Sequence, residues 1–178
     1  KKTINLPFDK SKKIVLGTGR LTKQKNFTYL ISEFDKFCKV NNDFVLVILG
    51  DGEEKENLQN LILSKKLQKK FFLLGQVENV YEFMKISNVF VLSSLWEEVG
   101  FVIVEAALSN LFIISSNCPN GPTEFLDYGK NGNLFNSNQK NLLFHSLEDF
   151  LNCKDKFNKK FKSKKNSLKY TKYRHFKI

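Results

Sequence analysis

Short runs of uninterrupted apolar residues alternate along this chain with stretches in which apolar residues recur every third or fourth position. The runs are residues 14–17, 44–49, 71–74, 89–92 and 112–114, the last opening a strand predicted over 112–115. Between them, Phe27, Leu30, Ile31, Phe34 and Phe37 keep helical spacing, as do Leu58, Leu61, Ile62 and Leu67. Shorter helices are predicted over 80–86 and 100–109. A strand that is apolar at every position is buried on both faces, the mark of a parallel sheet, and parallel neighbours need helical crossovers. The pattern predicts an α/β fold, a Rossmann-like doubly wound parallel sheet. Past Pro122 it weakens to a short helix over 123–126, a strand over 133–135 and a last clear helix over 139–151.

In sheets of this kind ligands bind outside the carboxyl ends of the strands. That rule selects the loops 18–26, 51–54, 75–80, 93–100 and 116–122, which hold most of the Gly and Pro. Gly17-Thr18-Gly19-Arg20, followed by Lys25, offers a Gly-rich turn whose amides can approach an anion, with two cations to straddle a diphosphate. Alone, it is equally a tight turn with two exposed cations. It is neither a G-x-G-x-x-G fingerprint nor a Walker loop. Glu97 lies in the loop after the fourth run, and Glu105 follows on a helix among Val104, Ala106, Ala107 and Leu108. A carboxylate in such surroundings needs a partner for its charge, and adjacent sugar hydroxyls are suitable donors. The helix start near Gly100 adds free amides and a positive dipole end. The bland alternative is helix-end charge at Glu97 and Glu98 with a surface Glu105.

The net charge is +11, but residues 154–178 alone carry +10, from ten Lys, one Arg and one Asp. The rest is nearly neutral, so charge does not point to nucleic acid. The basic segment reads as a solvated tail or as one drawn to anionic lipid. Cys38, Cys118 and Cys153 follow no ligand or disulfide spacing. Cys118 has no base beside it, and there is no Asp-x-Asp pair, so no metal is expected. His145 and His175 read as surface residues, and Asp51, Glu53, Glu54 and Glu56 as the opening of a helix. No apolar stretch is long enough to span a bilayer, and the first residues lack the apolar centre of a signal peptide.

Taken together, these segments resemble the C-terminal domain of the family 4 (group 1) glycosyltransferases, which have the two-domain GT-B fold. Glu97 and Glu105 match its paired Glu separated by seven residues, with Gly100-Phe101 between them. Gly19-Arg20-Leu21 with Lys25 match its G-R-L-x-x-x-K segment, and residues 49–52 its L-G-D-G turn. Leu74-Gly75 match the turn before the base-binding loop, and residues 116–124 an S-x-C-P-x-G-P-x-E variant. The resemblance runs over residues 4–152, with one departure: Glu98 stands where the family has Gly.

The resemblance implies a retaining, metal-independent hexosyl or N-acetylhexosaminyl transferase using a nucleotide sugar, UDP-linked by expectation, as substrate and no cofactor. Catalytic roles fall to Glu97, near the transferred sugar, and to Arg20 and Lys25, on the leaving diphosphate. Donor contacts fall to Gly19, Gly75, Val77, Gly100, Phe101, Val102 and Glu105, the last on the ribose. The expected organisation is a start or linker over 1–12, the nucleotide-sugar domain over 13–153, and a basic segment over 154–178. That segment is expected to be helical and to cross to an N-terminal domain that this chain lacks. The acceptor, a cell-surface glycan or lipid-linked sugar, belongs to that absent domain, so the chain alone is expected to bind donor without transferring sugar. A cytoplasmic location follows, with peripheral contact to anionic membrane at its cytoplasmic face. The alternatives are a non-catalytic nucleotide-binding module with a membrane- or partner-binding tail, and a GT-B epimerase.

Overall fold

A computed structural model of the chain describes residues 5–97 and 100–170. Six strands form one sheet: β1 (Lys13–Thr18), β2 (Phe44–Leu49), β3 (Phe71–Leu73), β4 (Val89–Leu92), β5 (Phe112–Ser116) and β6 (Asn133–Phe135). Its order is β3-β2-β1-β4-β5-β6 and every pairing is parallel. Among the described residues seven α-helices flank it: α1 (Phe27–Val40), α2 (Lys55–Ser64), α3 (Val80–Ile86), α4 (Phe101–Leu108), α5 (Pro122–Phe125), α6 (Leu142–Asn152) and α7 (Lys156–Ser167). This is the doubly wound arrangement that the apolar runs predict.

The uninterrupted runs are explained by the two layers that cover the sheet. Val15, Leu46, Ile48, Val91 and Ile114 face Phe34 and Phe37 of α1, Leu58 of α2 and Leu147 of α6. Their chain neighbours Leu16, Val45, Val47, Phe90 and Ile113 face Phe83 of α3, Ile103 and Ala107 of α4, and Phe125 of α5. All six residues of β2 are buried. Each large side chain so buried contributes roughly 2 kcal/mol. Phe rings interlock across the first layer, with Phe34 edge-on to Phe71 at 5.2 Å and Phe37 edge-on to Phe44 at the same separation.

Several boundaries differ from the periodic reading. The helix expected over 139–151 begins at Leu142, because Asn141 is left-handed (φ +67°) and the Gln139 carbonyl accepts a hydrogen bond from Tyr29 Oη at 2.8 Å. The second helix ends at Ser64, and Lys66 turns the chain with φ +56°. Phe8, ahead of β1, packs its ring on Phe72 of β3 at 4.7 Å. The basic segment is helical over α7, which lies against α4 and β5; residues 171–178 are outside the described ones. No helix among the described residues is long and apolar enough to cross a membrane.

Candidate functional site

Strand order reverses between β1 and β4, and the crevice at such a switch point is where doubly wound sheets bind ligands. The loops after β1, β2 and β3 are sewn together there through main-chain groups. Gly19 N–H donates to Leu49 O (3.0 Å), Leu21 N–H to Asp51 O (2.9 Å), and Gly50 N–H to Gly75 O (2.8 Å). Gly50 makes this possible: its φ is +135°, and a Cβ there would stand 1.9 Å from Gly19 O. These loops rim a cavity of about 420 Å³ lined by Gly19, Arg20, Gly50, Asp51, Gln76 and Val77 among others. Arg20 is exposed, and among the described residues no carboxylate pairs with it.

Across the switch point, Lys25 Nζ donates to Glu97 Oε1 at 2.6 Å, and Ser94 Oγ donates to the same oxygen at 2.5 Å. Glu97 is 5% exposed and Ser94 is fully buried, so this carboxylate is held by two donors in a largely dry setting. The backbone is fixed as well. Leu95 N–H donates to Gln24 O, Gln24 Nε2 to Trp96 O, and Ser93 Oγ to Lys25 O. The 3-10 turn Lys23–Lys25 is thus clipped to the loop after β4. Ser116 Oγ, at the end of β5, donates to Ser94 O at 2.6 Å. Cys118 sits close by, its thiol pushed up by burial despite the hydroxyl of Ser116.

The amino end of α4 opens beside Glu97. Gly100 takes φ +61°, and the nearest neighbours of a Cβ there would be Glu97 Cγ and Cβ at 3.7 and 3.8 Å. Among the described residues no side chain caps this helix and none accepts from the first-turn amides of Phe101 and Val102, which lie at a positive dipole end. Glu105, one turn on, is half-buried, and burial pushes its carboxyl up. Its charge is felt by Tyr81 on α3, whose phenol burial also pushes up.

The structure therefore brings the proposed residues together in two neighbouring groups. Gly19, Arg20 and Val77 line the cavity, with Gly75 in its rim; Lys25, Glu97, Gly100 and the start of α4 form the second group, with Glu105 on the helix behind. Glu98, the departure from the family pattern, lies outside the described residues. Ser94 and Gln24 have no part in the sequence reading. The signal for the serine was present: Ser93-Ser94 and Ser115-Ser116 are polar pairs at the carboxyl ends of wholly apolar strands. His145 is on the surface and 3.3 Å from Glu148. Among the described residues no group of three His, Cys, Asp or Glu side chains could hold a metal ion.

Comparison with known proteins adds a family and a fold. The family described as "Glycosyl transferases group 1" matches residues 2–168, which takes in α7 as well as the sheet. A glycosyltransferase of unassigned specificity from Methanocaldococcus jannaschii is 43% identical over 113 residues, 64% of this chain and 28% of its own length. The N-acetylgalactosamine-N,N'-diacetylbacillosaminyl-diphospho-undecaprenol 4-alpha-N-acetylgalactosaminyltransferase of Campylobacter jejuni is 31% identical over 152 residues, 85% of this chain and 40% of its length. The chain thus spans less than half of these relatives. Staphylococcus aureus TarM, solved in a complex that includes UDP, superposes with a TM-score of 0.85 at 24% identity, over 99% of this chain and 36% of that one; the likeness establishes a shared fold.

Proposed function

The chain belongs to the group 1 glycosyltransferase family, and from that premise we propose that it is the donor-binding half of a retaining enzyme that needs no metal. The single observation that carries the reading is the Lys25–Glu97 contact at the switch point, flanked by the cavity that Arg20 rims and by the uncapped start of α4. A nucleoside diphosphate has the charge and length to run from one to the other. Its phosphates meet Arg20, Lys25 and the amides of Gly19, Phe101 and Val102. Its ribose hydroxyls donate to Glu105, which offsets the burial of that carboxylate, and its base lies along residues 75–79 beside Val77.

Transfer then breaks the bond from the sugar's anomeric carbon to the phosphate oxygen and forms one from the acceptor oxygen on the same face. The acceptor's proton passes to the departing phosphate. Arg20 and Lys25 neutralise charge that grows on that phosphate, and Glu97 faces the positive charge that grows on the sugar. A UDP-hexose or UDP-N-acetylhexosamine as donor is supported by the UDP in the TarM complex. A lipid-linked or polysaccharide acceptor, met at the cytoplasmic face of a membrane, is supported by the undecaprenol-linked substrate named for the Campylobacter relative. The acceptor is held by a domain outside this chain, which by itself binds donor and transfers nothing.

Calorimetric titration of the chain with UDP, GDP, ADP and UDP-sugars tests the reading. The expected result is selective uptake of UDP and UDP-sugars, weakened about tenfold or more in Arg20→Ala and Glu105→Ala. Uptake unchanged in both variants would refute the assignment, as would sugar transfer by the chain alone.

A further inference from the structure

We infer that the outward face of α7 is a docking surface for an anionic lipid bilayer. The helix is inside out for a surface element. The side it turns to the domain is made of small and polar groups: Ser163 and Ser167 are buried, and Asn166 Nδ2 donates to Phe125 O at 2.7 Å. Lys159 Nζ donates to Gly132 O at 3.2 Å and to Asn133 Oδ1 at 3.0 Å, and Lys156 lies over the Phe150 ring at 4.7 Å. The large apolar side chains point the other way. Phe157 is 79% exposed, Phe161 58% and Leu168 50%. At about 100° per residue, positions 157 and 161 of α7 fall on one narrow stripe, with Lys164 on its edge; Leu168 lies in the 3-10 turn that follows.

Soluble helices hide such a stripe and expose their lysines. Here both are outside, and that pairing is what an interfacial helix presents to a membrane: aromatic rings for the acyl boundary and cations for the headgroups. Next to the stripe, Lys162, Lys165 and Lys169 border a groove of about 470 Å³. Glu124 and Asp127 on its other wall offset part of the charge. A positive surplus remains, since residues 154–170 hold eight Lys against one Asp. The sequence that follows continues the same mixture, with Lys172, Tyr173, Arg174, Phe176 and Lys177. Charge complementarity therefore selects an anionic surface, and two exposed Phe one turn apart select one that can be entered. The inference rests on α7 and does not depend on which donor the chain binds.

Co-sedimentation with vesicles tests it, using phosphatidylcholine alone and phosphatidylcholine mixed with phosphatidylglycerol. The chain is expected to bind the mixed vesicles and leave the neutral ones. Phe157→Ser with Phe161→Ser is expected to lower binding about tenfold or more, and Lys164→Glu with Lys165→Glu by about the same factor. All four side chains are exposed, so thermal unfolding and UDP uptake should not move, which keeps a folding defect apart from a docking defect. Failure to bind mixed vesicles overturns the inference. So does unchanged binding in the Phe pair, which would reduce the contact to charge alone. Sedimentation showing a dimer that the Phe pair dissociates would assign the face to a second copy of the chain.

Discussion

Lys25 Nζ and Glu97 Oε1, 72 positions apart in sequence, stand 2.6 Å apart at the point where the sheet's strand order reverses. Their bond neutralises two charges that water barely reaches, with 15% of the Lys25 side chain and 5% of that of Glu97 exposed. Any phosphate brought to Lys25 must share it with this carboxylate. The pair is at once part of the candidate site and part of what keeps the two loops closed.

Removing one partner should therefore do more harm than removing both. Lys25→Ala leaves Glu97 buried with Ser94 alone of the described side chains to hold it, and is expected to lower stability by about 3 kcal/mol. Lys25→Ala with Glu97→Gln should recover a large part of that loss in denaturant unfolding, yet UDP uptake should stay weak because the phosphate's cation is still missing.

Glu105 predicts an exchange of stability for binding. Burial pushes its carboxyl up, so the unfolded chain gives up this proton at a lower pH than the folded one. The resulting opposition to folding is absent below the ordinary carboxylate range of about 4.3, grows as pH rises from there, and is complete above the raised folded value. Glu105→Gln should raise Tm at neutral pH, with the gain fading as the solution is acidified below that range, while UDP uptake falls.

Two glycines in adjoining loops should respond very differently to a methyl group. Gly50→Ala drives a Cβ to 1.9 Å from Gly19 O at φ +135°, and should cost about 3–5 kcal/mol from clash and strained backbone together. Gly75, at φ +71°, has nothing within 4 Å of the same position. Gly75→Ala should cost only the left-handed penalty, about 1–2 kcal/mol. Urea unfolding of the two variants separates these effects.

Tyr29 ties α1 to the segment before α6: its hydroxyl donates to Gln139 O at 2.8 Å and receives the Leu143 amide at 3.4 Å. Burial pushes its phenol up to about 12. Ultraviolet titration should show Tyr29 ionising late, near 12, with Tyr81 also delayed by its burial. Unfolded Tyr29 ionises near 10, so its contribution to stability is whole below that pH and is lost between there and about 12. Tyr29→Phe should flatten that decline and cost about 1 kcal/mol at neutral pH.

The sheet was legible because β1, β2, β4 and β5 are buried on both faces, which confines their polar residues to the strand ends. The charges of the site were legible as well, since Glu105 is a carboxylate on an apolar helix and Arg20 and Lys25 follow a Gly-rich turn. The role of Ser94 was not, because a serine's part is set by what folds against it, and Glu97 reaches it only through the turn of the loop after β4. The start of α6 escaped for the same reason: Gln139 has acceptable helix propensity, but its carbonyl is taken by Tyr29 from another helix. The packing of α7 ran against expectation from pattern, since its inward face is Ser, Asn and lysine stems and carries no apolar period.

The stitching of Gly19 to Leu49, Leu21 to Asp51 and Gly50 to Gly75 leaves the rim of the cavity without slack. The nucleotide proposed to bind there would meet a socket already shaped, so little of its binding free energy would go into ordering protein. These amides should exchange with solvent as slowly as those inside the strands, whether or not ligand is present. Any change of shape during a reaction cycle must then come from the displacement of whole bodies against one another, with this rim carried along as a rigid plate.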